Sequence, residues 1–174
     1  MLHRLAVLLV LALGSCAHAV PGAQSPLVNP LVGSWQLERV VAVRPSGEET
    51  VSRWGRDPTG MITYTADGHM ASQIMGDPRP AIRDRANPTP EESQAILGSY
   101  LAYSGTYTYD PSTRVVVHHA SMSIEPTEIG QDMPRQVELQ GDRVTLTSTP
   151  YTLRGETVFN KPDGFVQNLL AKGF

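Results

Sequence analysis

The sequence has a single cysteine, no basic cluster and no apolar run long enough to cross a bilayer as a helix. Cys16 is the only cysteine in 174 residues, so no disulfide can form within one chain, and an apolar core must hold the fold together. The 14 basic residues are outnumbered by 17 acidic ones and form no runs, which argues against nucleic acid as a partner. The length and an apolar content of 40% indicate one domain.

Short motifs of the common catalytic and nucleotide-binding sites are also missing. The sequence contains no G-x-S-x-G, no P-loop and no G-x-G-x-x-G after a strand. His69, His118 and His119 are the histidines outside the N-terminal segment, and no His-x-His or carboxylate pair accompanies them to complete a metal site. We therefore expect neither a metal ion nor a cofactor.

The N-terminal segment has the composition of an export signal. A short basic stretch precedes nine apolar residues, 5–13, which are too few to span a bilayer. Residues 1–19 are therefore expected to be a signal peptide, with two alternative processing points. Lipidation of Cys16 would give a periplasmic or membrane-anchored lipoprotein, whereas cleavage after Ala19 would give a soluble secreted protein. Residues 20–30 then form a flexible tether.

From residue 31 to residue 161 the sequence alternates short strand patterns with turn residues. Asp67-Gly68 between two alternating segments is a strong hairpin signal. The connections are too short for parallel crossovers, so an antiparallel sheet is expected. Alternation on one face, combined with tight turns, favours a small antiparallel β-barrel of about eight or nine strands over a sandwich.

Two helices are expected in addition to the strands. Thr89 has the character of an N-cap, Pro90 suits the first helical position and Glu92 completes a capping box. These residues predict one inserted helix from about 90 to 99, after a proline-rich loop. The spacing of apolar residues in 162–174 predicts a short C-terminal helix.

Four stretches of the sequence give a more specific identification of the fold. They are "LVGSW" at 31–35, "PTGMITYTADGHMASQ" at 58–73, "SYLAYSGTYTYD" at 99–110, and "VVVHHASMSIEP" from 115 with the Ile-Gly and Arg135 that follow it. Together they resemble a bacterial and fungal family of lipocalin-like domains over about 30–160. The resemblance implies an exported small β-barrel with a central cavity, in which Gly33 and Trp35 are structural and the tryptophan closes the barrel base. It implies no particular activity, because the family's biochemical role is mostly unassigned.

The adjacent histidines cannot bind one metal ion from a regular strand, because neighbouring side chains of a strand point to opposite faces. Met122 and Ile124 share a face with His118, which predicts that His118 points into the barrel and His119 to solvent. Inside the barrel, His118 would be either a structural histidine hydrogen-bonded to a tyrosine or threonine hydroxyl, or a group that fixes a ligand or transfers protons.

Other side chains are expected to enter the barrel beside His118. Arg135 begins a strand whose alternate residues are apolar, so its guanidinium should enter the barrel near one rim, where it either caps the barrel end or pairs with a protein carboxylate or an acidic ligand. Tyr64 and Tyr107 would give the cavity an apolar wall with polar tips. Met122 would add an adaptable lining.

These features favour an exported barrel that binds a small apolar or amphipathic molecule through His118, Arg135, Tyr64, Tyr107 and Met122. Two other functions remain open. An isomerase or cyclase acting on an apolar substrate would use His118 as acid or base and would need a second titratable group within its reach. A cell-envelope interaction protein would have a closed core and an exposed apolar patch near 76–90.

Overall fold

The computed structural model describes the backbone of residues 29–44, 46–148, 151–153, 156–158 and 164–171, and beyond residue 148 the side chain of Leu169 alone. The predicted signal peptide, the lipidation site at Cys16 and nearly all of the tether lie outside these residues. Among the described residues, no helix has both the length and the apolar character needed to cross a bilayer.

Eleven strands are present in the described residues, and eight of them form a closed barrel. They are β1 (Gly33–Val43), β2 (Glu49–Val51), β3 (Thr59–Tyr64), β4 (His69–Met75), β5 (Tyr100–Asp110), β6 (Val115–Ser123), β7 (Asp132–Gln140), β8 (Arg143–Ser148), β9 (Tyr151–Leu153), β10 (Glu156–Val158) and β11 (Gly164–Ala171). Around the barrel the order is β1, β3, β4, β5, β6, β7, β8 and β11, and β11 pairs in turn with β1. Every pair is antiparallel, so the predicted small antiparallel barrel is confirmed.

The C-terminal helix predicted for 162–174 is wrong, because residues 164–171 of this segment form β11. The backbone of β11 pairs with β8 on one side and with β1 on the other. Without this strand, β1 and β8 would be barrel edges with unpaired backbone groups. Tertiary pairing therefore overrides the local apolar spacing, which fits a helix and a strand almost equally well.

The inserted helix begins and ends close to the predicted residues. It is α1 (Pro90–Gly98), and its capping box is complete: the Thr89 hydroxyl accepts a hydrogen bond from the Glu92 amide, and the Glu92 carboxylate accepts one from the Thr89 amide. None of its residues is buried. The helix is therefore a surface excursion between β4 and β5. A single 3-10 turn at Pro126–Glu128 connects β6 to β7.

Alternate residues of the barrel strands point inward and form the core. In β4 the buried residues are Met70, Ser72 and Ile74, and the residues that alternate with them are exposed. The largest fully buried side chains are Tyr64, Leu31, Ile62, Met133, Leu146, His118, Val116, Val137 and Val144. The core is apolar apart from a small set of polar side chains, to which His118 belongs.

A β-bulge interrupts β6 where it pairs with β5. Ser104 pairs with Met122 and Gly105 pairs with Ala120, so Ser121 is an extra residue on β6. Gly105 permits this close approach, because a Cβ at that position would lie 2.0 Å from the His119 carbonyl oxygen. The bulge reverses the in-and-out alternation of β6 beyond Ala120.

Candidate functional site

An imidazole held between two phenols lies in the barrel interior. His118 is 1% exposed. Its Nε2 atom lies 2.7 Å from the hydroxyl of Tyr64, and its Nδ1 atom lies 2.8 Å from the hydroxyl of Tyr103. Both tyrosines are buried as well. The prediction that His118 points inward is confirmed, and both of its ring nitrogens are hydrogen-bonded.

Three strands of the barrel, β3, β5 and β6, bring these side chains together. Tyr64 is the last residue of β3, Tyr103 lies in the first half of β5, and His118 lies in β6, where it pairs with Tyr107. Inward residues of a closed barrel converge, so the two hydroxyls reach the imidazole from different strands. The ring of Tyr64 also packs edge-on against Tyr107, with ring centroids 4.8 Å apart. This contact limits the movement of the Tyr64 ring.

The hydrogen bonds determine how protons are distributed in this group. A neutral imidazole has one N–H donor and one acceptor nitrogen. His118 therefore accepts the O–H of one tyrosine and donates its own N–H to the other. The tyrosine that accepts from the imidazole keeps its O–H as a donor for a further partner. The interior thus contains one phenol proton that the imidazole does not use.

Burial favours the uncharged form of all three side chains. Burial lowers the pKa of His118 well below its usual value of 6.5, and the charge of Arg135 lowers it further. Burial also raises the pKa of Tyr64 and Tyr103 above the usual 10.0, although the charge of Arg135 opposes both shifts. Near neutral pH, therefore, the group offers neutral donors and acceptors to a ligand.

Arg135 brings a positive charge into the same interior. It lies on β7 between the buried residues Met133 and Val137 and is itself 8% exposed. Its Nη1 atom donates to the Pro134 carbonyl oxygen at 2.9 Å, and a hydrogen-bonding interaction with Arg135 lowers the pKa of Tyr103. No carboxylate in the described part of the chain forms an ion pair with it. Arg135 thus enters the barrel as the strand pattern predicts, but the described residues give it no carboxylate partner.

The segment that precedes β1 packs against one end of the interior. Trp35 donates its indole N–H to the Leu31 carbonyl oxygen at 2.8 Å, and both residues are buried. The hydroxyl of Tyr107 accepts a hydrogen bond from the Asn29 side-chain amide at 3.0 Å. Gly33 has a φ of 138°, a backbone conformation that favours glycine. These contacts are consistent with the structural role that the sequence gives to Gly33 and Trp35.

The second histidine of the pair lies on the outside of the barrel. The side chain of His119 is 34% exposed, and its Nδ1 atom lies 2.5 Å from Oδ1 of Asp132. Its Nε2 atom lies 3.2 Å from the hydroxyl of Thr108. The prediction that the two histidines occupy opposite faces is confirmed. Within the described residues, no three metal-binding side chains lie together.

The predicted interior placement of Met122 is wrong. Its side chain is 65% exposed, because the extra residue Ser121 turns it to the outer face of β6. The methionines that do lie inside are Met70 and Met133, which are 3% and 1% exposed. Met122 therefore cannot line the interior as expected.

Two interior side chains are missing from the set of ligand-binding residues that the sequence predicts. Tyr103 is one of them, although β5 begins at residue 100 and its alternation places Tyr103 on the same face as Tyr107. Ser72 is the other. It is 3% exposed, and its hydrogen bonding lowers the pKa of Tyr103. Tyr109, Tyr107 and Tyr103 lie on the same face of a regular strand, since they are separated by even numbers of residues, and this alternation identifies Tyr103. No local signal identifies Ser72.

The interior geometry also bears on the two alternative functions. Acid–base chemistry needs a second titratable group near His118, and Tyr64 and Tyr103 meet this requirement. Both imidazole nitrogens are nevertheless occupied, so a proton transfer to or from a ligand requires one tyrosine to give up its hydrogen bond. The arrangement therefore fits ligand binding better than proton transfer.

Residues 76–90 are described throughout, and none of the strongly exposed large apolar side chains lies among them.

Comparison with known proteins gives a family match that includes this interior. A family model described as a lipocalin-like domain matches residues 32–159. The 4'-hydroxy-3'-methoxypropiophenone carrier protein of Aspergillus oryzae (strain ATCC 42149 / RIB 40) is 34% identical over 95 residues, which represent 49% of this chain and 86% of that protein. The family match contains all the side chains of the interior group, from Tyr64 to Arg135.

Proposed function

Since the chain belongs to the lipocalin-like domain family, we propose that its barrel binds and carries a small apolar or amphipathic molecule in the interior. The observation that carries this proposal is the group formed by Tyr64, His118, Tyr103 and Arg135 inside an apolar core. Ligand sites typically combine apolar walls with a few fixed polar groups. This interior has that composition.

A barrel that only had to be stable would gain little from these polar groups. Burial of a cation without a carboxylate is unfavourable, and apolar residues of similar size stabilise a core at least as well. A ligand that hydrogen-bonds to the guanidinium and to the phenol proton that the imidazole does not use offsets this cost. The interior group therefore supports binding in addition to structural packing.

The name of the Aspergillus relative supports a ligand with an aromatic ring and a few oxygen atoms. The compound in that name is an aryl ketone with a phenolic hydroxyl. Its ring would suit the apolar walls, and its oxygens would suit the phenol, imidazole and guanidinium groups of this barrel. We take it as the first test compound, within the wider class of small apolar molecules that carry polar ends.

Ligand-dependent stabilisation of two neighbouring histidine variants tests the proposal. Thermal unfolding is measured with increasing 4'-hydroxy-3'-methoxypropiophenone, since a ligand of the folded state alone stabilises it by about 2.7 kcal/mol at about 100 times its Kd. His118→Gln, which removes the interior imidazole, should lose much of this stabilisation. His119→Gln alters the adjacent residue on the outer face and should retain it.

Two results would count against binding in the interior. One is the absence of any stabilisation, by this compound or by a panel of small apolar molecules. The other is an equal loss of stabilisation in the His118→Gln and His119→Gln variants. Each comparison uses the unliganded form of the same variant as its reference, so a general loss of stability does not affect the conclusion.

We further propose that the protein acts outside the cytoplasm. The support is the signal-like composition of residues 1–19, which lie outside the described part of the chain. The intact mass of protein purified from its own host tests this. A chain that starts at Val20 supports secretion, and a lipid-modified N-terminal Cys16 supports membrane anchoring. A chain that retains Met1 contradicts export.

A further inference from the structure

The buried cation of the interior has no counter-ion in the described protein. Arg135 is 8% exposed, and its guanidinium donates to the backbone carbonyl of Pro134 at 2.9 Å. None of the ion pairs among the described residues includes it. An ordinary buried arginine is paired with a carboxylate. This one has a backbone oxygen and a phenol beside it instead.

The other groups near the guanidinium do not balance its charge. Tyr64, Tyr103 and His118 are neutral near pH 7, as their buried hydrogen bonds and shifted pKa values indicate. The negative charge of Glu128 acts on Tyr103 and raises the pKa of its hydroxyl. It accepts a hydrogen bond from the Ser123 hydroxyl at 2.8 Å and makes no ion pair with Arg135. The described interior therefore holds one unbalanced positive charge.

We propose that the barrel selects ligands that carry one acidic group, whose oxygen anion pairs with Arg135 while the rest of the molecule packs against the apolar core. This inference rests on the proposed function and specifies its ligand class. A guanidinium presents several N–H donors in one plane, which fits the two oxygens of a carboxylate or the oxygens of a sulfonate. The phenol proton that His118 does not use is a second donor in the same interior.

The same arrangement discriminates against a neutral molecule of similar shape. Such a molecule would leave the buried guanidinium without a counter-ion, and a charged hydrogen bond formed away from water is stronger than one at the surface. Discrimination should therefore come from the acidic group and not from the apolar part of the ligand. We expect a preference of at least about tenfold for the acidic molecule.

Two fluorescent probes that differ by one sulfonate test this preference. 8-Anilinonaphthalene-1-sulfonate is an anion, and N-phenyl-1-naphthylamine is the same ring system without the sulfonate. Both emit more strongly in apolar surroundings, so each can be titrated into the full-length protein. The anionic probe should bind to one saturable site, at least about tenfold more tightly than the neutral probe.

Substitutions of Arg135 and of a surface arginine test whether the preference for the anionic probe comes from the interior cation. Arg135→Gln should weaken the binding of the anionic probe alone, so that the two probes bind this variant with similar affinity. Arg135→Lys keeps the charge but loses the planar donor set, so it should keep part of the preference. Arg143→Gln is the matched control, because Arg143 is an exposed arginine paired with Glu38 on the barrel surface. This control should bind both probes as the wild-type protein does.

The outcomes separate this inference from the proposed function. Equal binding of the two probes by the wild-type protein overturns the acidic-ligand inference and leaves the carrier function intact. The inference is also overturned if the Arg135→Gln variant still prefers the anionic probe. It is overturned as well if that variant loses affinity for both probes equally. Binding of neither probe counts against the carrier function itself. The wild-type comparison remains decisive even where Arg135→Gln does not fold.

Discussion

Among single residues, His118 has the contacts that are most informative about the barrel interior. Its two nitrogens bond to Tyr64 and Tyr103, so the ring cannot flip without breaking two hydrogen bonds. The fixed imidazole in turn orients both phenols. A site whose polar atoms are already in place loses less entropy when a ligand binds.

Removal of one phenol hydroxyl should destabilise the barrel. Tyr103→Phe leaves the Nδ1 atom of His118 buried without its partner, which costs about 1–3 kcal/mol of unfolding free energy. Urea unfolding measures this loss. Tyr100→Phe is the control, since its hydroxyl makes an exposed 3.3 Å hydrogen bond to Gln73, and its effect should stay within about 0.5 kcal/mol. Equal stability of the two variants would show that the imidazole does not depend on Tyr103.

The lowered pKa of His118 predicts a loss of stability in acid. The unfolded chain binds a proton at His118 as the pH falls through its usual value of 6.5, whereas the folded chain keeps the imidazole neutral. This contribution to stability is therefore complete above that pH and decreases below it, by at most about 1.4 kcal/mol per pH unit. Unfolding free energies at about pH 7.5 and about pH 5.5 should differ less in His118→Gln than in the wild-type protein.

An exposed histidine provides the control for this pH effect. The side chain of His69 is 64% exposed, so His69→Gln removes an imidazole from the surface and leaves the buried group of His118 intact. His69 helps to lower the pKa of Asp67, but that carboxyl is already ionised at about pH 5.5, so the comparison still isolates the buried imidazole. If His118→Gln and His69→Gln respond to acid in the same way, His118 is not held neutral by the fold.

Among the elements, β6 shows how a local irregularity changes the composition of a site. The alternation of a regular strand places His118 inside and His119 outside, and the structure agrees. It also places Met122 inside, and there the structure differs, because Ser121 is inserted opposite the bond between Ser104 and Gly105. A bulge depends on the partner strand, so the sequence of β6 by itself does not reveal it.

The bulge should depend on a glycine in the neighbouring strand. Gly105→Ala would place a Cβ 2.0 Å from the His119 carbonyl oxygen and 2.9 Å from the Ser121 amide nitrogen, both of them rigid backbone atoms. We expect a loss of more than about 2 kcal/mol of unfolding free energy, measured by urea unfolding. Gly98→Ala in α1 meets no atom within 4 Å and should be neutral or slightly stabilising. Equal effects of the two substitutions would contradict the packing at the bulge.

The two segments that the sequence predicts as helices differ in how well local signals define them. The start of α1 has a proline, a capping threonine and a glutamate with specific local roles, and the structure confirms it. The C-terminal segment has only apolar spacing, and its conformation depends on β1 and β8, which lie far away in the sequence. Local signals therefore predict α1 and fail for β11.

For the whole molecule, closure of the barrel connects fold and function. Pairing of β11 with both β1 and β8 leaves the eight-stranded barrel without an open edge, and it directs one face of every barrel strand toward a shared interior. The motifs at 31–35, 58–73, 99–110 and 115–135 predict this architecture and most of its interior polar residues. The pairing of Tyr64 and Tyr103 with the same imidazole is a property of the closed barrel, and no single segment encodes it.

The methionine methyl groups test most directly whether a ligand enters the barrel. Met70 and Met133 are 3% and 1% exposed, whereas Met61, Met75 and Met122 are 45%, 40% and 65% exposed. In an NMR titration of methyl-labelled protein with 4'-hydroxy-3'-methoxypropiophenone, the signals of the two buried methionines should shift and saturate together. The signals of the three exposed methionines should stay in place. Shifts confined to the exposed methionines, or the absence of any shift, would contradict a ligand site in the interior.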